Sequence, residues 1–237
     1  MTVILTMTVC MCVCLVIIGK GYTAYRDAVS EVSLEEMAAT IQGKEDFTRW
    51  EELPETYIQA VIAVEDKRFE YHPGIDPIAI CRAVINDIKA GAFVEGGSTI
   101  TQQLAKNMYF SQEKELTRKV AEVFVALDLE KNYTKEEIFE LYVNSIYFGD
   151  GYYTVKEASE GYFGVAPEDM DGYQCTLLAG VPNAPSVYAP TKNPDLAAQR
   201  QLQVVRRMER CGYFSTEEAE TVSDTVEETL AAIAVGY

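Results

Sequence analysis

Glu65-Asp66-Lys67-Arg68-Phe69, then His72-Pro73-Gly74, and about twenty residues later Gly96-Gly97-Ser98-Thr99-Ile100-Thr101-Gln102-Gln103-Leu104-Ala105-Lys106-Asn107, form the stretch around which this 237-residue chain is built. Pro54 suits the first turn of a helix, and Ile58, Val61 and Ile62 recur at helical spacing, with Glu65 on the same face one turn beyond Ile62. Glu65 therefore falls on the apolar side of the predicted helix. A carboxylate there is partly desolvated, which favours its neutral form and suits it to general acid or base work. The plainer alternative is a helix-end glutamate paired with Lys67 or Arg68.

Gly96-Gly97 leads into a second predicted helix with Ser98 or Thr99 as cap, and Gln102 completes a capping box to Thr99. Gln102 and Gln103 each lie about one turn from Lys106, so the three share one side. Donors grouped at a glycine-rich helix start suit an anionic or sugar ligand. A capped amphipathic helix with a wet Gln/Lys face is the competing explanation.

Taken together, Glu65-Asp66-x-x-Phe69-x-x-His72-x-Gly74 and Gly97-Ser98-Thr99-Ile100-Thr101-Gln102-Gln103-Leu104-x-Lys106-Asn107 resemble the first two motifs of the peptidoglycan glycosyltransferases of family 51. These are the glycosyltransferase domains of penicillin-binding proteins and their monofunctional relatives. Further along, Leu116, Val120, Val123, Phe124 and Leu127 make an apolar stripe, with Arg118 and Glu122 on an adjoining one that Val125 and Leu129 continue. The pattern predicts a half-buried Glu122. By itself this is an i,i+4 ion pair worth a few tenths of a kcal/mol, but Arg118-Lys119-x-x-Glu122 also resembles the family's third motif. A capping box, Thr134-x-x-Glu137, opens a segment through Tyr147-Phe148-Gly149 that resembles the fourth. Leu177-Leu178-Ala179-Gly180-Val181-Pro182-Asn183-Ala184-Pro185 resembles the fifth and is turn-rich, as a cleft wall would be.

The likeness covers about residues 50 to 215. With no strand alternation long enough for a sheet, the chain reads as mainly α. The resemblance implies a lysozyme-like larger lobe with a small second (jaw) lobe, in a domain over 53–237 that ends in a helical tail. Asn193-Pro194 opens that tail, Gly212 stops its first helix, and Ser215-x-x-Glu218 caps the next. Asp76 and Pro77 open another helix, and the glycine-rich run Lys89 to Gly97 reads as a loop bordering a cleft. Ser111-x-x-Lys114 matches the Ser-x-x-Lys of penicillin-binding transpeptidases, but no Lys-Thr-Gly follows and no transpeptidase domain is expected.

The activity implied by the resemblance is polymerisation of lipid II onto a growing lipid-linked glycan strand, releasing undecaprenyl diphosphate with inversion to a β-1,4 linkage. Glu65 would be the base. Lys106, Arg118 and Lys119, with Lys114, would face the diphosphate, and Ser98, Thr99, Gln102, Gln103 and Asn107 would bond sugar or phosphate oxygens. Glu122, the second cleft carboxylate, either holds those cations or binds a divalent ion (Mg or Mn) bridging the phosphates; nothing in the sequence requires a cofactor. A lytic enzyme cutting the same polymer is the nearest rival, and a non-catalytic lipid II-binding scaffold is a second. Cell-wall synthase partners are left open.

A net charge of −17 argues against nucleic acid as a partner, so any positive site must be local. Thr2 to Ile18 is uncharged and mostly apolar, at the short end for a membrane span. No small-x-small cleavage site follows it, so residues 1–19 read as a single transmembrane anchor and 20–52 as a stalk and lead-in. Lys20 and Arg26 after the span would put the domain in the cytoplasm by the positive-inside rule, whereas the resemblance implies the extracytoplasmic face. Cys10, Cys12 and Cys14 lie in the span, and Cys81, Cys175 and Cys211 are scattered, which suits neither zinc nor disulfides. The lone His72 is expected to orient the loop after Glu65.

Overall fold

Helices supply the regular structure of the described residues, with one isolated bridge between Gly149 and Tyr152 and no strand. The computed structural model describes residues 2–92, 96–110 and 116–235. In chain order the helices are α1 (Thr2–Glu31), α2 (Leu34–Gln42), α3 (Glu55–Glu65), α4 (Pro77–Ala90), α5 (Ile100–Tyr109) and α6 (Leu116–Asn132). They continue with α7 (Lys135–Val143), α8 (Val155–Phe163), α9 (Gly172–Gly180), α10 (Pro185–Tyr188), α11 (Pro194–Cys211) and α12 (Thr216–Val235). The mainly-α expectation holds.

The chain forms two compact units, each assembled from separated segments. The first comprises residues 1–40 and 72–138, the second 41–71 and 139–237. In the first unit, α5 and α1 both pack on α6. Ile100, Leu104 and Ala105 of α5 and Ala121, Val125, Ala126 and Leu129 of α6 are fully buried. Asp76 caps α4 by accepting from the Ile78 and Ala79 amides at 3.0 Å, and Pro77 occupies its first turn.

The most buried face of α6 is the adjoining stripe of Glu122, Val125 and Leu129, and not the one that runs from Leu116 to Leu127. Leu116 is 73% exposed and Leu127 also lies in the open, while the Ala121, Val125, Ala126, Leu129 face takes Glu122 inward with it. At Ala126 the backbone of Gly74 comes close, and a Cβ on Gly74 would lie 2.8 Å from the Ala126 carbonyl oxygen.

In the second unit, α3, α9 and α11 pack on one another, burying Tyr57, Val61, Ile62, Leu178, Val204, Val205 and Met208. Thr48 is tied down through Asn144, the residue just past α7. Its Nδ2 donates to the Thr48 carbonyl at 2.8 Å and the Glu140 carbonyl at 2.9 Å, and its Oδ1 accepts from the Thr48 amide at 2.9 Å. The Trp50 ring meets Phe139 edge-on, with centroids 5.5 Å apart.

Candidate active site

The helix that carries Glu65 forms for the reasons its sequence suggests. Pro54 precedes its first turn, its carbonyl accepting the Tyr57 and Ile58 amides, and the apolar residues face α9 and α11. Glu65 is the last helical residue, and its side chain is only 10% exposed. Arg200 of α11, 13% exposed, brings Nη2 to 3.8 Å from Glu65 Oε1, an ion pair too long for a hydrogen bond. Arg200 is itself held by the Gly180 carbonyl at 3.4 Å and Gln203 at 3.2 Å, and its guanidinium lies 5.9 Å from the Tyr188 ring centroid. Burial lowers the pKa of Arg200 from its ordinary value, and the charge of Glu65 opposes that shift.

Tyr142 and Tyr57 are both fully buried. Burial, reinforced by Glu65, Tyr57 and Asp66, pushes the Tyr142 hydroxyl well above its usual pKa. Burial does the same to Tyr57, with a contribution from Cys175. The carboxylate thus sits in a largely dry setting with the Arg200 guanidinium close by. That arrangement suits a group that must take a proton and then release it.

The second group belongs to the first unit. Glu122 is completely buried, with Lys119 Nζ at 2.7 Å from Oε2 and Arg118 Nε at 3.0 Å from Oε1, the latter an ion pair out of hydrogen-bond alignment. Lys119 also donates to Ser98 Oγ at 2.8 Å, so two of its three ammonium donors are used, and its side chain remains 43% exposed. A buried anion therefore holds two cations in place, one of them open to solvent. Both Glu122 oxygens face cations, a setting that repels a metal ion. Among the described residues no group of three His, Cys, Asp or Glu side chains is arranged to hold one. Among the described residues, the group around Glu122 does not fit a divalent ion.

The start of α5 is fixed by the anticipated capping box. The Gln102 amide donates to Thr99 Oγ1 at 3.0 Å, and the Thr99 amide to Gln102 Oε1 at 3.1 Å. Thr99 Oγ1 also donates to the Gly74 carbonyl at 2.7 Å, and the Gly74 amide to His72 Nδ1 at 3.1 Å, so His72 does organise the loop that follows Glu65. Gly74 has φ +96°, and a Cβ there would lie 2.8 Å from the Ala126 carbonyl oxygen, so only glycine fits. Lys135 clamps the same loop, donating to the His72 carbonyl at 2.7 Å while pairing with Glu130, which also accepts from Thr101 at 2.6 Å.

Ser98, Arg118, Lys119 and Glu122 are thus brought together. Thr99 and Gln102 are buried and engaged in the cap, whereas Gln103 and Lys106 are half-buried and Asn107 is exposed. Lys114 lies outside the described residues. Arg200 escaped the sequence reading because it stands in a polar helix far along the chain; the only available signal was an arginine on the inner face of α11, one residue before the buried Gln201.

A family model described as "Transglycosylase" matches residues 32–209. Penicillin-binding protein 1F of Bacillus subtilis is 45% identical over 170 residues, 72% of this chain and 24% of that protein. A Cupriavidus necator protein named as a transglycosylase is 41% identical over 170 residues, 72% of this chain and 73% of its own. Penicillin-binding protein 1A of Haemophilus influenzae aligns in structure with a TM-score of 0.44 at 20% identity, covering 75% of this chain and 17% of that one. The chain spans about a quarter of the length of the curated penicillin-binding proteins it matches.

Proposed function

Because the chain belongs to the transglycosylase family, we propose that it is a peptidoglycan glycosyltransferase that polymerises lipid II into β-1,4 glycan by an inverting mechanism. The observation that carries this reading is the pair of cations, Arg118 and Lys119, held on the fully buried Glu122 of a strongly acidic chain. A glycan-cleaving enzyme has no diphosphate to stabilise and no use for such a pair; a diphosphate leaving group needs one.

In the proposed reaction the 4-hydroxyl of one lipid-linked disaccharide attacks the anomeric carbon of the growing strand. Glu65 accepts the hydroxyl proton, the new carbon–oxygen bond forms, and the bond from the anomeric carbon to the diphosphate oxygen breaks with its electron pair leaving on the diphosphate. Arg118 and the remaining donor of Lys119, with Lys106 and Lys114, meet that charge. Glu122 orients the cations, a role supported by the pairing of both its oxygens. Ser98 sets the Lys119 ammonium, Thr99 and Gln102 fix the start of α5, and Gln103 and Asn107 bond sugar or phosphate oxygens. Residues 1–19 anchor the protein, with 20–52 leading into the domain on the extracytoplasmic face.

The test is polymerisation of labelled lipid II in detergent, with and without a chelator, comparing wild type with Glu65→Gln. Polymer from the wild type alone, indifferent to chelation, supports the proposal. Fragments released from preformed glycan would favour the lytic reading, and lipid II binding without reaction would favour a scaffold.

A further inference from the structure

The apolar span does not end in a hinge. α1 continues as one helix through Glu31, and beyond Ile18 its less exposed residues are Gly21, Ala24, Tyr25, Ala28 and Val29, one helical face. That face lies on α6. A Cβ on Gly21 would fall 2.5 Å from Val120 Cγ1 and 3.0 Å from the Thr117 carbonyl. The rings of Tyr22 and Tyr25 stand 5.3 and 5.7 Å from Phe124, and the Tyr25 hydroxyl donates to Asp128. Along α1 the partners run 21, 22, 25; along α6 they run 120, 124, 128, so the two helices are parallel.

The register can be followed back toward the span. One turn before the Gly21–Val120 contact, Leu116 comes level with Ile17 and Ile18, and Ile17 is the residue of the 2–18 run that is partly covered. Gly21 lies only about 4–5 Å beyond Ile18 at the rise of a helix, and the polar layer of each leaflet is roughly 5–8 Å deep. Arg118 and Lys119 lie between Thr117 and Val120, the two α6 residues that Gly21 meets.

We infer that the packing of α1 on α6 is a depth gauge, holding the Arg118, Lys119 and Glu122 group in the polar layer of the bilayer, level with the phosphates of a lipid-linked diphosphate. This rests on the reading of residues 2–18 as a membrane span. Gly21, Val120 and the Tyr25–Asp128 bond set the register and so act as positioning residues. A diphosphate attached directly to a lipid chain is met at its own depth and need not be drawn out of the membrane.

The test uses the full chain with Trp50→Phe and Leu116→Trp, leaving one tryptophan, in phosphatidylglycerol/phosphatidylcholine vesicles carrying quenchers at the headgroup, near the glycerol or deep in the acyl chain. The expected result is strongest quenching by the two shallow labels. Added Gly21→Ala should flatten that profile, although alanine favours a helix by about 1 kcal/mol over glycine, and Val120→Ala in the same protein should restore it. Tyr25→Phe should produce a smaller change in the same direction. Quenching by none of the three labels, strongest quenching by the deep label, or a profile indifferent to Gly21→Ala would overturn the inference. Flotation of the same vesicles separates the cases. Protein that fails to float removes the span reading and the inference with it, whereas floating protein whose introduced tryptophan is exposed to water removes the inference alone.

Discussion

Glu122→Gln tests the cation holder most directly. The carboxylate has no exposed surface, Arg118 is 18% exposed, and both oxygens lie within 3.0 Å of a cation nitrogen. An exposed i,i+4 pair would be worth only about 0.3–0.5 kcal/mol, whereas removing one partner of a buried pair costs about 3–5 kcal/mol. Glutamine keeps the shape and one acceptor but turns an amide donor toward the second cation. The lower end applies, about 3 kcal/mol, or a Tm lower by roughly 6–12 °C for a domain of this size. Thermal unfolding of wild type, Glu122→Gln, Arg118→Met and the double variant, in one detergent, measures both the loss and the coupling. The coupling should exceed about 1 kcal/mol and persist at high salt, because a buried pair is poorly screened. A Glu122→Gln protein that melts within about a degree of wild type would refute the argument, since it would mean that water reaches the carboxylate.

Three further outcomes follow from the geometry. Arg200→Met removes a positive neighbour of Glu65, so, if Glu65 is the base of the proposed reaction, the acid limb of the pH–rate profile for lipid II polymerisation moves to higher pH; an unmoved limb would dissociate the two. Asn144→Leu leaves the buried Thr48 amide and carbonyl without their partners and should cost about 2–5 kcal/mol in denaturant unfolding. Burial pushes the Cys175 thiol up to about 12, so alkylation at about pH 8.5 followed by mass mapping should label the exposed Cys81 promptly and Cys175 only after unfolding.

The local features were legible because local rules govern them. The Thr99–Gln102 and Thr134–Glu137 capping boxes, the Asp76–Pro77 start and the Gly212 stop at φ +78° all stand where the sequence put them. Glu65 falls at the end of the predicted helix, largely buried. What spacing could not supply was how helices pair. Glu122, expected half-buried beside Val125 and Leu129, is wholly buried on a face that it also shares with Ala121 and Ala126. Arg200 and Asn144 find their partners across long sequence separations, and Gly21 shows its use only once Val120 is beside it. The family resemblance covered the motifs but said nothing of these pairings.

The division of the chain has a consequence for inheritance. The chain passes from one unit to the other at Thr40–Ile41, at Tyr71–His72 and at Ile138–Phe139, so neither unit is a continuous segment. Glu65 stands a few residues before the second passage, and Glu122 is in the unit that the chain then enters. No single cut in the gene releases either unit whole, and no simple fusion can acquire one without the other. Recombination must move the two carboxylates as one cassette, and a fragment intended to carry only one of them needs an artificial splice, such as Thr40 joined to His72.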